Sequence, residues 1–437
     1  MSEATMEKIV SLAKRRGFIY QGSEIYGGLA GTWDYGPMGV ELKNNIKNLW
    51  WRMFVQERDD MYGMDAAILM HPKVWEASGH VSGFSDPLVE CTKCKRRFRE
   101  DHLEDKTTCP ECGGKLGEAR QFNMMFKTHI GATEDASSIS YLRPETAGGM
   151  FVNFKNVVDS LHPKMPFGLG QIGKAFRNEI APRDFVFRSR EFEQMEIEYF
   201  VHPRDWEAKF EEFRNAMHAW IERVGIDGKR VTELEVPDTE RAHYSKRTID
   251  FEFDYPFGVK ELYGLAYRTD FDLTAHAGMS GVDLSIMDEE SGEKYVPHVI
   301  EPSFGVDRTI LAVLASAYKE DEMGGEARTY LAFPKEIAPV KAAVFPLLKN
   351  KPDLVAKARE VYEMLKKDIP QIMWDDNGNI GKRYRRQDEI GTPFCITIDF
   401  DTLGEGGDDK KDIVTVRDRD SGEQERVPIA DIASYIC

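Results

Sequence analysis

Residues 168–200, GLGQIGKAFRNEIAPRDFVFRSREFEQMEIEYF, decide the fold. Up to Ile180 the residues alternate as in a strand, with Ile172, Phe176 and Ile180 set against Gly173, Ala175, Arg177 and Glu179. Arg177 and Glu179 stand two apart, so a strand projects both from one face. Pro182 and Asp184 interrupt the run. Alternation resumes from Arg190 to Phe200, placing Met195, Ile197 and Tyr199 on one face and Phe192, Gln194, Glu196 and Glu198 on the other. A hairpin folded this way brings arginines, an aromatic ring and several carboxylates to one floor, with Arg183, Arg188 and Arg190 on or near its loop. That set suits a nucleotide: guanidinium for phosphate, ring for base stacking, carboxylate for an amine. The same alternation also describes an antiparallel pair with one solvated charged face, and residue types alone leave both readings open.

The 437 residues suffice for two or three domains, each with its own core. A hydrophobic content of 41% and a charged content of 30% are those of an ordinary soluble globular protein. No apolar run reaches the length of a membrane span, and MSEATMEKIVSLAKRRGF lacks the apolar core of a signal peptide, so no membrane contact and a cytosolic compartment are expected. A net charge of −17 argues against a general nucleic-acid coat and leaves room for nucleic acid on a small basic patch.

Four of the six cysteines are clustered in pairs, Cys91-x2-Cys94 and Cys109-x2-Cys112, while Cys395 and Cys437 stand alone; a disulfide framework does not look like this. Two such knuckles with a Pro-Glu-Cys-Gly-Gly turn match a closed four-thiolate zinc site, an insert of about residues 88–116. All four positions are filled by thiolates, so the role is structural. Arg99 and Asp101 lie inside this insert and can be pushed toward a neighbouring site.

Elsewhere the chain reads as follows. A basic helix over 5–16 precedes a Gly-rich stretch from Tyr20 to Gly39. An amphipathic helix from Val40 to about Gln56 carries Trp50, Trp51 and Phe54, as core or as a partner surface. SISYLRPETAGGMF at 138–151 runs from strand into helix, with Glu145 as a first-turn acid. Asp205–Val224 is a helix whose stripe of Trp206, Phe210, Phe213, Met217, Trp220 and Val224 is packing. Residues 247–275 suggest two or three antiparallel strands, with Glu261, Arg268, Asp270 and Asp272 on one side. Residues 295–318 read as a strand, a sharp Pro/Gly turn and a helix capped by Asp307. Arg308 in that first turn is electrostatically unfavourable unless an anion is near, which makes it a phosphate candidate. Residues 319–335 read as a linker to an α/β unit of strands, a helix and a final hairpin at 413–429. GKRYRRQ at 381–387 is either a nucleic-acid contact or a solvated helix face.

FRNE at 176–179, FRSREFEQME at 187–196 and GVDR at 305–308 are similar to motifs 2 and 3 of the class II aminoacyl-tRNA synthetases. IYGGLAGTWDYGPMG, RPETA, RNEIAPR, REFEQMEIEYF, RTDFDL and EPSFGVDR together resemble the glycyl-tRNA synthetase family of the single-chain, homodimeric type, over nearly the whole chain. One departure stands at Gly148, where the family carries Gln in RPETAQG. The paired-cysteine insert belongs to only part of that family, so zinc rests on its own spacing.

The resemblance implies an α+β protein: a class II antiparallel-sheet catalytic domain over 1–330 and a C-terminal α/β anticodon-binding domain over 336–437. It implies ATP with Mg2+, glycine and tRNA-Gly as ligands and a second copy of the chain as partner. Arg177 and Arg308 become the catalytic arginines, at the α- and γ-phosphates. Asn178, Glu179, Phe187, Arg188, Ser189, Arg190 and Glu191 hold adenine and phosphates, and Phe192 stacks on the base. Glu261 and Leu262, with Gly305, Val306 and Asp307, complete the ATP site. Glu145, Glu196, Glu301 and Ser303 form the glycine pocket, with Phe192, Glu193, Gln194, Met195, Pro302, Phe304 and Gly305 around it and Arg99 and Arg268 nearby. Adenylate formation is an in-line attack by a carboxylate on phosphorus, so positioning and charge neutralisation dominate and no protein nucleophile is needed. Bulk where a Cβ would go rejects alanine steeply, so no editing domain is required. Two other readings compete. A non-catalytic, synthetase-like accessory subunit, such as that of the mitochondrial replicative polymerase, would have lost Arg177, Glu179 and Arg308, all present here. A zinc-ribbon nucleic-acid binder is too small to account for the whole chain.

Overall fold

The computed structural model of the chain describes residues 5–135, 138–242, 244–288 and 291–436, so Cys437 lies outside the described residues. Its centre is a seven-stranded sheet of β1 (Met61–Gly63), β2 (Phe167–Phe176), β3 (Glu191–Val201), β4 (Val231–Glu235), β5 (Arg247–Tyr255), β6 (Gly258–Thr269) and β7 (His298–Gly305). The strand order is β4-β5-β6-β7-β3-β2-β1, antiparallel throughout except for β1 beside β2. One face is covered by α1 (Pro37–Trp51), α3 (Trp206–Arg223) and α5 (Val306–Ala317). The other face meets α2 (Ala147–Leu161) and α4 (Phe271–Ser280) at one end and stays open at the other.

The period of two along each strand sorts the side chains. Met195, Ile197 and Tyr199 of β3 and Phe304 of β7 point into the core under the sheet, where Phe304 meets Phe54, Trp50, Trp220 and Tyr263 at ring separations of 4.9–6.2 Å. The aromatic residues of the 40–56 helix are therefore core: Trp50 and Phe54 are buried, and the helix runs into a π-helical turn over Arg52–Gln56. The stripe on α3 is packing as well, with Phe210, Phe213, Met217 and Trp220 fully buried.

Several expectations change. The strand of the central hairpin ends at Phe176, and Arg177 to Arg190 form a loop with a single 3-10 turn over Phe185–Phe187. The 247–275 stretch gives two strands, after which Phe271–Ser280 is helical, so Asp272 and His276 share a helix face. Chain alternation there fits either period, and Thr269, at φ +59°, breaks the strand. No turn forms at Pro302: β7 passes straight through it. The ladder between β3 and β7 instead lapses opposite Ile197 and Glu198, where Pro302 has no N–H to give. Helix α5 is capped by Gly305, while Asp307 accepts from Glu193 N at 2.8 Å and from the Tyr35 hydroxyl.

Residues 319–335 are mostly a hairpin, β8 (Tyr318–Met323) and β9 (Glu326–Leu331), not a linker. Its Arg328, fully buried, pairs with Asp321 and lies 3.7 Å from Asp388 of the C-terminal part. There β10 (Ala342–Pro346), β11 (Ile372–Trp374), β12 (Phe394–Ile398), β13 (Ile413–Asp418) and β14 (Gln424–Pro428) form a mixed sheet in the order β11-β10-β12-β13-β14. Helix α6 (Pro352–Asp368) packs on it, and α7 (Ile380–Ile390) carries the GKRYRRQ cluster.

That cluster is not a freely solvated face: only Gly381 and Lys382 are exposed, and its other side chains are held largely by the chain itself. Arg383 is buried and donates to the carbonyls of Pro346, Asp376 and Gly378; Arg386 is bidentate on Asp375; the Tyr384 hydroxyl bonds Thr397 at 2.8 Å. Arg383→Ala should therefore cost about 2–4 kcal/mol of stability by leaving three carbonyls unpaired, read by chemical denaturation. Loss of tRNA affinity at unchanged stability would contradict this.

Candidate active site

The open face of β2, β3, β7 and β6 is the floor of the site. Register sets Glu196 between Gln171 and Ser303, Gln194 between Gly173 and Gly305, and Glu301 beside Ala266. The loop above is tied at its base: Arg177 N donates to Arg190 O at 2.9 Å and Arg190 N to Gly31 O at 2.7 Å. The Arg190 guanidinium reaches Glu179 O and Ala30 O, so Arg190 clamps the loop and its head is not offered to a ligand. Phe187 anchors the loop tip against Tyr255 and Phe257, each 5.2 Å away.

Two cavities of about 280 Å³ open on this floor. The first carries four arginines, Arg99, Arg177, Arg188 and Arg308, with Glu179, Glu261 and the ring of Phe192. Arg177 stacks between Phe192 and Phe84, 5.2 and 5.3 Å from their centroids, and donates to Pro144 O. Arg308 lies 3.2 Å from the Glu261 carboxylate and 4.5 Å from the Phe187 ring. Arg308 in turn draws the Glu261 carboxyl below its ordinary range. Burial, and then repulsion by Arg99, Arg183 and Arg308, hold Arg188 below its usual value although Glu179 opposes them. Four carboxylates share this lining, but Arg177 has no carboxylate ion-pair partner among the described residues, and four guanidinium groups so close together suit a polyanion.

The second cavity is short of positive charge. Glu145, Glu196, Glu301, Gln194 and Ser303 line it, with Val236, Glu240, Arg241, Ala242 and Tyr244 as its roof. Glu196 accepts from Ser303 Oγ at 2.8 Å, Gln194 Nε2 at 3.0 Å, and Thr146 N and hydroxyl. Burial, with Glu145 nearby, raises its pKa. Burial also acts to raise Glu145, but His80 at 3.4 Å, with Arg268 and Arg177 beyond, pulls it down to about 2. Under Glu301 lies Arg268, buried, donating to Asp272 at 2.7 and 2.8 Å and to Glu301 at 2.9 and 3.0 Å. Burial nevertheless lifts Glu301 to about 8 against the pull of Arg268. The two cavities share Arg177, Gln194, Glu261 and Ser303, so they form one continuous cleft.

Most sequence candidates converge here. Phe187, Ser189, Leu262, Gly305 and Asp307 border the first cavity, and Arg99 borders that cavity while pairing with Asp86 and Asp101. Others do not present a side chain to the cleft. Met195, Phe304 and Val306 are in the core, and Pro302 pairs with Leu265 in the sheet. Glu191 reaches Lys174, Asn178 lies outside both cavity linings, and Glu193 borders the first cavity but turns its carboxylate to Lys43 and Lys47. The roof segment and Asp250 were not singled out from sequence, because PDTERAHY has no periodicity or motif to mark it. Gly148 faces neither cavity; a Cβ there would meet the Trp75 ring at 3.0 Å.

Beside the first cavity the four cysteine sulfurs gather within 4.8 Å of one another, with Cys91–Cys112 and Cys94–Cys109 separations of 3.6 and 3.7 Å. A tetrahedron with metal–sulfur bonds of about 2.3 Å has edges of about 3.8 Å, so these thiols fit zinc.

An antiparallel floor, an arginine-rich loop between two of its strands and an arginine opening the helix behind them define a class II aminoacyl-tRNA synthetase core. The family described as tRNA synthetase class II core domain (G, H, P, S and T) matches residues 126–317, and the anticodon binding domain family matches residues 341–437. The chain is 52% identical to a glycine–tRNA ligase of Lachnospira eligens over 99% of this chain and 98% of that one. It is 50% identical to that of Alkaliphilus oremlandii, over 100% and 98%, and 52% identical to that of Acetivibrio thermocellus, over 99% and 97%. The chain belongs to the glycine–tRNA ligase family.

Because the Glu145 pKa falls from 4.5 to about 2 on folding, its contribution is present above pH 4.5 and is lost as pH drops toward 2. Calorimetry of the native chain and Glu145→Gln should show a stability gap that shrinks by up to about 3 kcal/mol over that window. A pH-independent gap would contradict the assignment.

Proposed function

We propose that this chain joins glycine and ATP into enzyme-bound glycyl-adenylate with release of pyrophosphate, then passes the glycyl group to the 3′ end of tRNA-Gly. One observation carries the reading: a polyanion-seeking cavity and an ammonium-seeking cavity meet at Arg177. ATP in the first cavity and glycine in the second bring the glycine carboxylate to the α-phosphate at that junction.

Each role follows from position. Phe192 supplies a face for adenine. Arg177, fixed by the Phe84 and Phe192 rings, donates to the α-phosphate as negative charge builds there during in-line attack. Arg308 and Arg188 take the departing pyrophosphate, with Arg308 exchanging its Glu261 partner for phosphate oxygens. Mg2+ entering with the nucleotide would be held by Glu261 and Glu179, whose Oε2 is buried without a hydrogen bond, and would neutralise phosphate charge. Glu145, Glu196 and Glu301 surround the ammonium, with Ser303 and Gln194 orienting Glu196. Cys91, Cys94, Cys109 and Cys112 would hold a structural zinc that fixes the insert from which Arg99 and Asp101 extend.

Residues 336–437, following the catalytic domain of 1–330, are read as the anticodon-binding domain. Self-association as a homodimer is supported by the apolar loop at Ile25, Tyr26 and Leu29, exposed by 88, 87 and 55%. Among the described residues no helix is long and apolar enough to cross a membrane, and a cytoplasmic location fits the reaction. The non-catalytic alternative finds no support, since both arginine and carboxylate ends are intact.

Arg177→Ala should lower glycine-dependent ATP–pyrophosphate exchange by about 10²- to 10³-fold at unchanged melting temperature. Near-normal exchange would remove its role. Elemental analysis should find about one zinc per chain, lost when Cys94 is replaced by Ser.

A further inference from the structure

Glu198 is a carboxylate of the sheet beneath the cleft that the mechanism above does not use. It lies two residues beyond Glu196 on β3, fully buried, and does not line either cavity. Among the described residues neither of its carboxylate oxygens has a hydrogen-bond partner. Its nearest oxygen, one from Glu196 and one from Glu301 lie within 4.8 Å of one another. The break in the β3–β7 ladder opposite Pro302 lies at this spot, and on the other side the register partner of Glu198 is the apolar Leu169.

A lone ionised carboxylate in such a place is too costly to persist. The charged groups around it are Glu196 on its own strand, Glu301 on β7, Arg268 on β6, Asp272 and His276 on α4, and Glu145 before α2. Acids outnumber bases, and the one buried arginine is already shared by Asp272 and Glu301. Burial, then Glu301, push the Glu198 carboxyl well above the ordinary range. A divalent cation would meet Arg268 at its edge. A proton is the cheaper occupant.

We infer that Glu198 is a positioning residue of the ammonium pocket: a neutral carboxyl whose O–H donates to Glu301 and keeps that carboxylate ionised and aimed at the glycine ammonium. A hydrogen bond to the charged form of Glu301 lowers its proton affinity, which burial alone would leave too high for an anion at neutral pH. Without that donor Glu301 takes the proton itself and the pocket loses a negative charge. This rests on the placement of glycine in the second cavity.

The test is steady-state ATP–pyrophosphate exchange with Glu198→Leu and Glu198→Gln. Glu198→Leu should raise the glycine KM about ten-fold or more while leaving the ATP KM in place, and should move the acid limb of the KM profile to higher pH. Glu198→Gln, which keeps an N–H donor, should recover most of the loss. Equal losses in the two variants would overturn the inference, because an ionised Glu198 would then be acting by its charge. Parallel rises in glycine and ATP KM would overturn it as well, pointing to packing alone. Should Glu198→Leu fail to fold, infrared difference spectra on adding glycine decide. A buried carboxylic-acid band in the native chain that Glu198→Gln lacks supports the inference, and identical spectra refute it. Glu196→Gln runs alongside: an unchanged glycine KM there sinks the pocket assignment itself, whereas a raised one with normal Glu198→Leu sinks only this inference.

Discussion

Antiparallel pairing of β3 with its neighbours is the constraint on which the rest depends. A strand has two faces and no third choice, so every residue of EFEQMEIEYF is committed once the register is set. Met195, Ile197 and Tyr199 go down onto the aromatic core, and Gln194, Glu196 and Glu198 come up. A slip of one residue would bury three polar or acidic groups among tryptophans and lift the core residues into the cleft. The aromatic core under Phe304 thus fixes the geometry of the chemistry above it.

What lies on that floor is a separation of charge over a short distance. Arginines gather at one end, where Arg177 has no carboxylate ion-pair partner among the described residues, and carboxylates outnumber arginines at the other. Neither excess is stabilising, and both are tolerable because the cleft is open to water when no ligand is bound. Arg268 marks the limit: sealed beneath the pocket, it keeps full carboxylate partners on both sides, as a desolvated guanidinium must. The uncompensated groups are the ones that a triphosphate and an ammonium would complete. The cleft is therefore organised by what it lacks.

Much of this was legible in the chain before folding. Alternation located the hairpin and its two faces, cysteine spacing located the thiolate cluster, and Arg308 at a helix start signalled an absent anion. The family motifs joined these into one cleft. What could not be read has physical reasons. Arg190 and Glu193 belong to the same motifs as Arg177 but are spent on a loop clamp and a lysine pair. GKRYRRQ looked like a basic surface because sequence does not display the three carbonyls that Arg383 satisfies, one at the end of β10 and two in the loop before α7. Pro302 looked like a turn, yet an unpaired ladder position accommodates it inside β7. The roof over the carboxylate cavity carries no periodicity and became visible only in three dimensions.

The central claim is that one cleft pairs a nucleotide with the smallest amino acid. Its most direct test is ATP–pyrophosphate exchange by the intact, zinc-replete chain across single amino acids that include glycine, alanine and serine. The account predicts exchange with glycine and none above background with alanine or serine. Exchange that is equal for alanine, or absent for every amino acid in a folded sample, would contradict it.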